Sequence, residues 1–212
     1  MSDAVERSTN GAPDLGFYFD LGSPFAYIAA ERISAAFAEV ELPQPEWRPV
    51  LLGALLKRFD RTSWALGADR PDGVAEIERR GAAIGLPPIR WPDPWPSNYL
   101  SAMRAATYAK SVGRTVSFGL AAFRQAFAAG RDLGDPDNLI VAAAATEIHP
   151  RALLKGIETE AIKRALRTGT DEAARRGVVG VPTVSVGANL FWGEDRLDDA
   201  VEAARLVYRQ PL

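Results

Sequence analysis

The feature that most constrains the fold of this chain is an abrupt change from strand to helix near its start. Leu15–Leu21 is an apolar, aromatic run of the kind found in buried β-strands. It ends on Gly22-Ser23-Pro24. Serine is a favoured N-cap and proline a favoured first helical residue, so a helix is predicted to begin at Pro24. Apolar residues then recur at helical spacing as far as Phe37.

Short strands are predicted on both sides of a long helical middle. Glu46–Val50 completes a β-α-β unit, the unit that builds parallel sheets. Near the other end, Thr183–Val186 and Leu190–Trp192 flank a glycine-containing turn and predict a hairpin, and a last helix opens at Asp195. The segments between them that favour helix are Leu51–Phe59, Val74–Ile84, Asn98–Val112, Val116–Ala129, Asn138–Glu147, Arg151–Thr168 and a short stretch around Asp171–Arg176.

This order of elements predicts an α/β protein with a thioredoxin-like fold and a large all-helical insertion. The thioredoxin-like domain would consist of residues 15–51 and 171–212, and the insertion of residues 52–170. The chain has 212 residues, 47% of them hydrophobic, which is enough to bury a substantial core.

Composition excludes several kinds of chemistry. The chain has no cysteine, so it can form no disulfide and no protein thiolate. With one histidine, His149, a histidine-rich metal site is excluded as well.

A formal net charge of -2 gives no general attraction to nucleic acid or to an anionic membrane. There is no apolar run of transmembrane length and no signal peptide in residues 1–10, so a cytoplasmic location is expected.

Ser23 is the first candidate for chemistry. At a strand–helix junction its hydroxyl would lie beside unpaired backbone N–H groups and the positive end of the helix. These groups stabilise an anion, such as a thiolate supplied by a ligand. The same Ser-Pro pair is also an ordinary helix start, so the motif alone leaves both interpretations open. No base lies close in sequence, which argues against a serine nucleophile of the triad type.

Val181-Pro182 is a candidate for ligand binding because it stands just before a predicted strand. A proline there limits strand pairing, is a position where a cis bond can occur, and leaves a neighbouring backbone group free for a ligand. The alternative is an ordinary proline of an edge strand.

Aromatic residues in and beside the proline-rich segment 86–97 are candidates for a substrate pocket. Trp91, Trp95 and Tyr99 could wall such a pocket between the insertion and the core, and Asn98 could donate a hydrogen bond into it. Alternatively the rings anchor the loop onto the core and Asn98 caps the next helix.

Several segments, in order along nearly the whole chain, are similar to one known family. They are Phe17–Asp20, Ser23–Tyr27, Arg48–Gly53 with Lys57, Trp91-Pro92 with Asn98 and Ala102–Arg104, Gly177, Gly180–Thr183 and Phe191–Leu197. Together they resemble the 2-hydroxychromene-2-carboxylate isomerases and the kappa-class glutathione transferases, which belong to the DsbA-like branch of the thioredoxin fold.

The resemblance implies that glutathione is the cofactor and that the protein is a homodimer. Ser23 would hydrogen-bond to the glutathione sulfur and activate it. The backbone of Val181 would pair with the peptide part of glutathione, beside a cis Pro182.

The resemblance also assigns three charged residues. Glu194 and Asp195 would bind the γ-glutamyl end of glutathione, and Lys57 would lie near a carboxylate of glutathione or of the substrate. Each has an ordinary alternative, because Lys57 could be a solvated helix residue and Asp195 an N-cap with an acidic first turn behind it.

The chain departs from the family at two positions. Family members commonly carry an asparagine a few residues after the lysine, and Arg61 stands there in this chain. Arginine pairs with a carboxylate through two parallel hydrogen bonds, so Arg61 could take over a contact to substrate or glutathione. Glu194 replaces a small polar residue of the kappa-class enzymes.

These residues lead to three functional hypotheses. The resemblance implies a glutathione-dependent cis–trans isomerase that acts on an aromatic or unsaturated carboxylic acid by reversible thiol addition. The alternatives are a kappa-like glutathione transferase or peroxidase, and a non-catalytic binding module of thioredoxin fold. Consumption of glutathione would separate the first two, and failure to bind any small thiol would favour the third.

Overall fold

The computed structural model describes residues 13–208. Its strands are β1 (Leu15–Phe19), β2 (Glu46–Pro49), β3 (Thr183–Val186) and β4 (Asn189–Trp192), which form one sheet in the order β2-β1-β3-β4. Its helices are α1 (Pro24–Ala38), α2 (Leu52–Arg58), α3 (Arg70–Ala83), α4 (Leu100–Ser111), α5 (Thr115–Phe123), α6 (Pro136–Ala144), α7 (Pro150–Ile157), α8 (Glu160–Arg175) and α9 (Leu197–Tyr208).

The strand β1 is central because it is paired on both sides. It runs parallel to β2 and antiparallel to β3, and β3 pairs antiparallel with β4. Since side chains alternate along a strand, Phe17 and Phe19 enter the main core, where their ring centroids lie 4.9 and 5.3 Å from that of Trp47. Tyr18 faces the other side of the sheet and packs in a smaller apolar cluster with Ala173 of α8.

The helical middle of the chain shares its core with the sheet. Helix α4 contacts α5, α6, α7 and α8 and also the edge strand β2. One apolar cluster therefore includes Phe17 of the sheet, Met103 of α4 and Leu139 of α6. Within residues 13–208 no helix is both long enough and apolar enough to cross a membrane.

The predicted thioredoxin-like α/β fold is confirmed, with two errors in the helical middle. The single helix predicted over Arg151–Thr168 is wrong, because the structure has two helices there, α7 and α8, separated by a short non-helical segment. Thr159 caps α8 by accepting a hydrogen bond from the Ile162 N–H at 3.4 Å. The short helix predicted around Asp171–Arg176 is the end of α8, which runs without interruption through residue 170. Residues 209–212 of the predicted last segment lie outside the described range.

Candidate functional site

The turn between β1 and α1 carries Ser23. Its Oγ accepts a hydrogen bond from the Ala26 N–H at 3.2 Å, so the predicted N-cap is confirmed. The Ser23 N–H donates to the carbonyl oxygen of Asp20 at 3.0 Å. Ser23 is only 4% exposed. A hydroxyl can accept one hydrogen bond and donate another, so its proton remains available to a ligand.

The loop before β3 contains a cis peptide bond between Val181 and Pro182, as predicted. The Pro182 carbonyl accepts a hydrogen bond from the Gly193 N–H at 2.9 Å, which ties this loop to the turn after β4. Within residues 13–208 no hydrogen bond engages the backbone N–H or carbonyl of Val181. These two groups can therefore pair with the backbone of a peptide-like ligand.

Two cavities meet at Ser23. The first, which we call the loop cavity, has a volume of about 370 Å³ and extends from Ser23 along the cis-proline loop. Its other lining residues are Phe25, Leu52, Leu56, Arg61, Thr62, Ser63, Trp64, Arg80, Gly180, Val181, Pro182, Trp192, Gly193, Glu194 and Asp195.

The second, which we call the aromatic cavity, has a volume of about 340 Å³ and extends from Ser23 toward the helical middle. Its walls include the rings of Trp64, Trp95 and Tyr99. Among the described residues that line it there is no lysine, arginine or histidine, and Asp20 is its one acid. The cavity is therefore suited to an uncharged aromatic group.

Gly22 brings the aromatic wall against the Ser23 turn. The Trp95 Nε1–H donates a hydrogen bond to the Gly22 carbonyl oxygen at 3.2 Å. A Cβ atom on Gly22 would lie 2.6 Å from Cδ2 of Tyr99, closer than side chains approach each other. The absence of a side chain at this position thus lets Tyr99 pack directly on the turn.

The carboxylate of Glu194 is buried in an ion-pair cluster at the edge of the loop cavity. It lies 2.6 Å from Nη1 of Arg80 and 3.4 Å from Nη1 of Arg32, and Glu194 is 6% exposed. Arg80 belongs to α3 and Arg32 to α1, so the cluster links the helical middle to the thioredoxin-like part. To bind a ligand ammonium, as predicted, the Glu194 carboxylate would have to contact the ammonium while it is also paired with these two arginines.

Asp195 and Arg61 are the other charged residues of the loop cavity. Asp195 is exposed at the short 3-10 turn that precedes α9. Arg61 lies with its guanidinium carbon 4.4 Å from the ring centroid of Trp192, and its Nη1 donates to the Val179 carbonyl oxygen at 3.3 Å.

Three predicted site residues lie further from the place where the cavities meet. Lys57 is exposed on α2 and lines neither cavity. Trp91 packs behind the wall, with its ring centroid 4.6 Å from that of Trp95, and its Nε1–H donates to Glu78. Asn98 lines the aromatic cavity and its Oδ1 accepts a hydrogen bond from the Leu100 N–H at 3.1 Å. Its side-chain NH₂ group is still a donor.

Sequence reasoning did not single out Trp64 and Arg80, which line the loop cavity. Trp64 also lines the aromatic cavity, and its ring centroid lies 5.5 Å from that of Trp95. A Cβ atom at Gly73 of α3 would overlap the Trp64 ring. A glycine inside a helix was therefore the signal for this close packing.

Asp20 is a buried carboxyl group that supports the Ser23 turn. Its Oδ1 accepts from the Gly22 N–H and its Oδ2 from the Leu52 N–H, each at 2.8 Å. Burial raises the pKa of Asp20 from 3.8 to about 6, although both hydrogen bonds lower it. The carboxyl group thus joins the start of α2 to the Ser23 turn. With a pKa of about 6, Asp20 is protonated in a fraction of the molecules at slightly acidic pH.

We expect Asp20→Asn to flatten the pH dependence of folding stability. Because the pKa is raised in the folded state, the associated stability is fully present below pH 3.8 and is lost as pH rises through 6. The shift of about 2 units corresponds to about 3 kcal/mol in the free energy of unfolding between pH 4 and 7. Urea unfolding at several pH values measures this slope, and equal slopes in both proteins would contradict the prediction. Asp135→Asn, at the exposed N-cap of α6, is the control for the same chemical change.

Comparisons with known proteins identify the family and the fold. The family model of the DSBA-like thioredoxin domain matches residues 14–205. The 2-hydroxychromene-2-carboxylate isomerase of Sphingobium xenophagum is 27% identical over 202 residues, which cover 87% of this chain and 94% of that protein.

Two solved structures show the same fold. A 2-hydroxychromene-2-carboxylate isomerase superposes with a TM-score of 0.79 at 21% identity, over 92% of this chain and 96% of the other. A probable DsbA oxidoreductase from Streptomyces coelicolor has a TM-score of 0.72 at 20% identity, over 93% and 92% of the two chains. Because the family model spans nearly all of the described residues, this protein belongs to the DSBA-like thioredoxin domain family.

Proposed function

We propose that this protein is a glutathione-dependent cis–trans isomerase of an aromatic or unsaturated carboxylic acid. The observation that carries the proposal is that Ser23, at the start of α1, lines both the loop cavity and the aromatic cavity. A peptide thiol in the first and an aromatic substrate in the second would come together at this one group. The 27% identical relative that is named an isomerase supports the same class of reaction.

The residues of the loop cavity suit a peptide thiol. The free backbone groups of Val181 can pair with a peptide, and the Ser23 hydroxyl has a proton to donate to a sulfur atom. Asp195 and Arg61 offer charges for an ammonium and a carboxylate group. Glutathione carries all of these partners in one molecule.

The chemistry that glutathione supplies when bound is reversible addition of its sulfur to a conjugated double bond, which allows rotation before the sulfur leaves. The protein's own part is electrostatic. The Ser23 hydroxyl donates a hydrogen bond toward the sulfur position, and the N-terminal end of α1 presents its positive dipole there. Both favour the thiolate over the thiol at neutral pH.

The aromatic cavity orients the substrate. An aromatic ring would pack against the rings of Trp64 and Trp95, whose centroids lie 5.5 Å apart. Because Asp20 is the one acid in the cavity and no cation lines it, a carboxylate is disfavoured in the interior. The substrate carboxylate would lie at the open mouth, where the Asn98 amide can donate a hydrogen bond.

The proposal is tested with purified protein and 2-hydroxychromene-2-carboxylate, whose conversion is followed by absorbance. We expect no turnover without thiol and turnover when glutathione is added, with no loss of glutathione over many cycles. The chain has no cysteine of its own, so the thiol requirement is free of background from the protein.

Other outcomes of this assay decide between functions. Equal turnover without any thiol would contradict the proposal. Stoichiometric consumption of glutathione with electrophilic acceptors would instead indicate a kappa-like transferase. If calorimetry detected binding of no small thiol, a non-catalytic binding module would remain.

A further inference from the structure

The charges of the loop cavity are only partly neutralised within the protein. Arg80 and Glu194 form an ion pair of 2.6 Å, and each has a second partner, Glu76 for Arg80 and Arg32 for Glu194. Within residues 13–208 Arg61 and Asp195 take part in no ion pair, although both line the cavity. A ligand that enters therefore meets one uncompensated cation and one uncompensated anion.

Arg61 is held in position from two sides. Its guanidinium group stacks on the Trp192 ring at 4.4 Å, and one N–H donates to the Val179 carbonyl oxygen at 3.3 Å. A Cβ atom at Gly180 would lie 2.8 Å from Nε1 of Trp192, so the glycine allows Trp192 to lie this close to the loop. Four of the five guanidinium N–H donors remain for a ligand, and the clamp lowers the entropy lost when one binds.

The two free charges belong to segments that are hydrogen-bonded to opposite ends of the loop Val179–Pro182. Arg61 is bonded to Val179, two residues before Val181. Asp195 follows Gly193, whose N–H donates to the Pro182 carbonyl oxygen. Along the loop, the contact of the cationic Arg61 therefore comes first, the free backbone of Val181 follows, and the contact of the segment that carries the anionic Asp195 comes last. A peptide that pairs with Val181 would place a carboxylate at Arg61 and an amine at Asp195.

We propose that Arg61 is the residue that selects the thiol, by receiving the terminal carboxylate of a peptide thiol bound along Val181. The inference rests on the proposed function, because it concerns the thiol of the same site. A thiol whose carboxylate is masked loses the charge-assisted hydrogen bonds to the guanidinium. A sugar-based thiol without a carboxylate loses them as well. The protein should therefore favour thiols that carry both a free amine and a free terminal carboxylate.

The experiment compares glutathione with its glycyl monoethyl ester, in which only the terminal carboxylate is masked. Binding of each thiol is measured by calorimetry at low salt. We expect the wild-type protein to bind glutathione about tenfold more tightly than the ester, which is typical of one charge-assisted contact. Arg61→Gln should bind the two thiols with equal affinity.

Three further variants make the result specific. Arg58→Gln removes a neighbouring exposed arginine that lines neither cavity, and should keep the tenfold preference. Arg61→Lys keeps the charge but not the planar fork, and Trp192→Leu removes the stacking partner, so both should reduce the preference without abolishing it. Because Arg61 is exposed, thermal unfolding of its variants should match that of the wild type. Trp192 is 47% exposed and packs on Gly180, so Trp192→Leu should unfold at a slightly lower temperature.

The outcomes separate this inference from the proposed function. If the wild type binds glutathione and its ester equally well, the assignment of Arg61 is overturned and the proposed function stands. The assignment is also overturned if Arg61→Gln keeps the preference. If neither thiol binds, the proposed function fails and the assignment fails with it.

Discussion

Ser23→Ala should lower the glutathione-dependent isomerisation rate by about 100-fold, whereas the free energy of unfolding should fall by only about 1 kcal/mol. The large kinetic effect follows from the loss of the one hydroxyl group of Ser23, which lines both cavities. The small effect on stability follows from the loss of one N-cap hydrogen bond, from the Ala26 N–H to Ser23 Oγ. Turnover is measured at saturating glutathione, and stability by urea unfolding.

Thr159→Ala is the matched control for this prediction. Thr159 caps α8 by the same spacing, because its Oγ1 accepts from the N–H three residues later. It lines neither cavity. Its hydroxyl also donates to the Gly156 carbonyl oxygen at 2.7 Å, so the control should lose at least as much stability as Ser23→Ala and keep its activity. If the two variants lost activity to the same small extent, Ser23 would be a helix cap and no more.

The parts of the fold that sequence reasoning predicted correctly are those fixed by local chemistry. Ser23 followed by Pro24 is a capping signal contained in adjacent residues, and the helix begins where that signal places it. The hairpin of β3 and β4 likewise follows from a short turn between two apolar runs. The missed break before α8 was also local, since Thr159 followed by the acidic Glu160 is a helix-start signal.

The parts of the site that could not be predicted depend on contacts between distant segments. Glu194 is neutralised by Arg32 and Arg80, which are 162 and 114 residues away along the chain. No spacing rule connects such positions, because their proximity exists only after α1 and α3 have packed. The family resemblance implied a ligand contact for Glu194, but it could not show that Arg32 and Arg80 already pair with the same carboxylate.

Arg61 was identified as a candidate from the sequence, but its contacts with distant residues could not be predicted. Its place at the position of a family asparagine marked it as a possible carboxylate contact, but the sequence could not show that Trp192 and Val179 hold its guanidinium group. These contacts are made across 118 residues in the case of Val179. The family resemblance identified the residue and its charge suggested a carboxylate partner, whereas tertiary packing fixes the position of its guanidinium group.

Ser23→Cys should give a thiol that is ionised near neutral pH and reacts rapidly with oxidised glutathione. The thiol would stand at the N-terminal end of the 15-residue helix α1, which lowers a cysteine pKa below its usual value of about 8.5. The thiolate attacks one sulfur of oxidised glutathione, a new disulfide forms, and one glutathione thiolate leaves. The protein gains one glutathione, and mass spectrometry detects the adduct. The adduct should have no isomerase activity, because the sulfur of its glutathione is part of a disulfide and cannot add to the substrate.

Ser63→Cys is the control that isolates the effect of the helix. Ser63 lines the same two cavities, and its Oγ also accepts a backbone N–H, but it caps a 3-10 turn of only three residues. A turn this short has little dipole, so the thiol at this position should keep a pKa near 8.5. Since the chain has no other cysteine, the pH dependence of alkylation reports each introduced thiol alone.

At pH 6 we expect alkylation and glutathione adduct formation to be about tenfold faster for Ser23→Cys than for Ser63→Cys. Equal rates and equal pKa values would show that α1 does not stabilise a thiolate at this position, and the electrostatic basis of the proposed function would be lost.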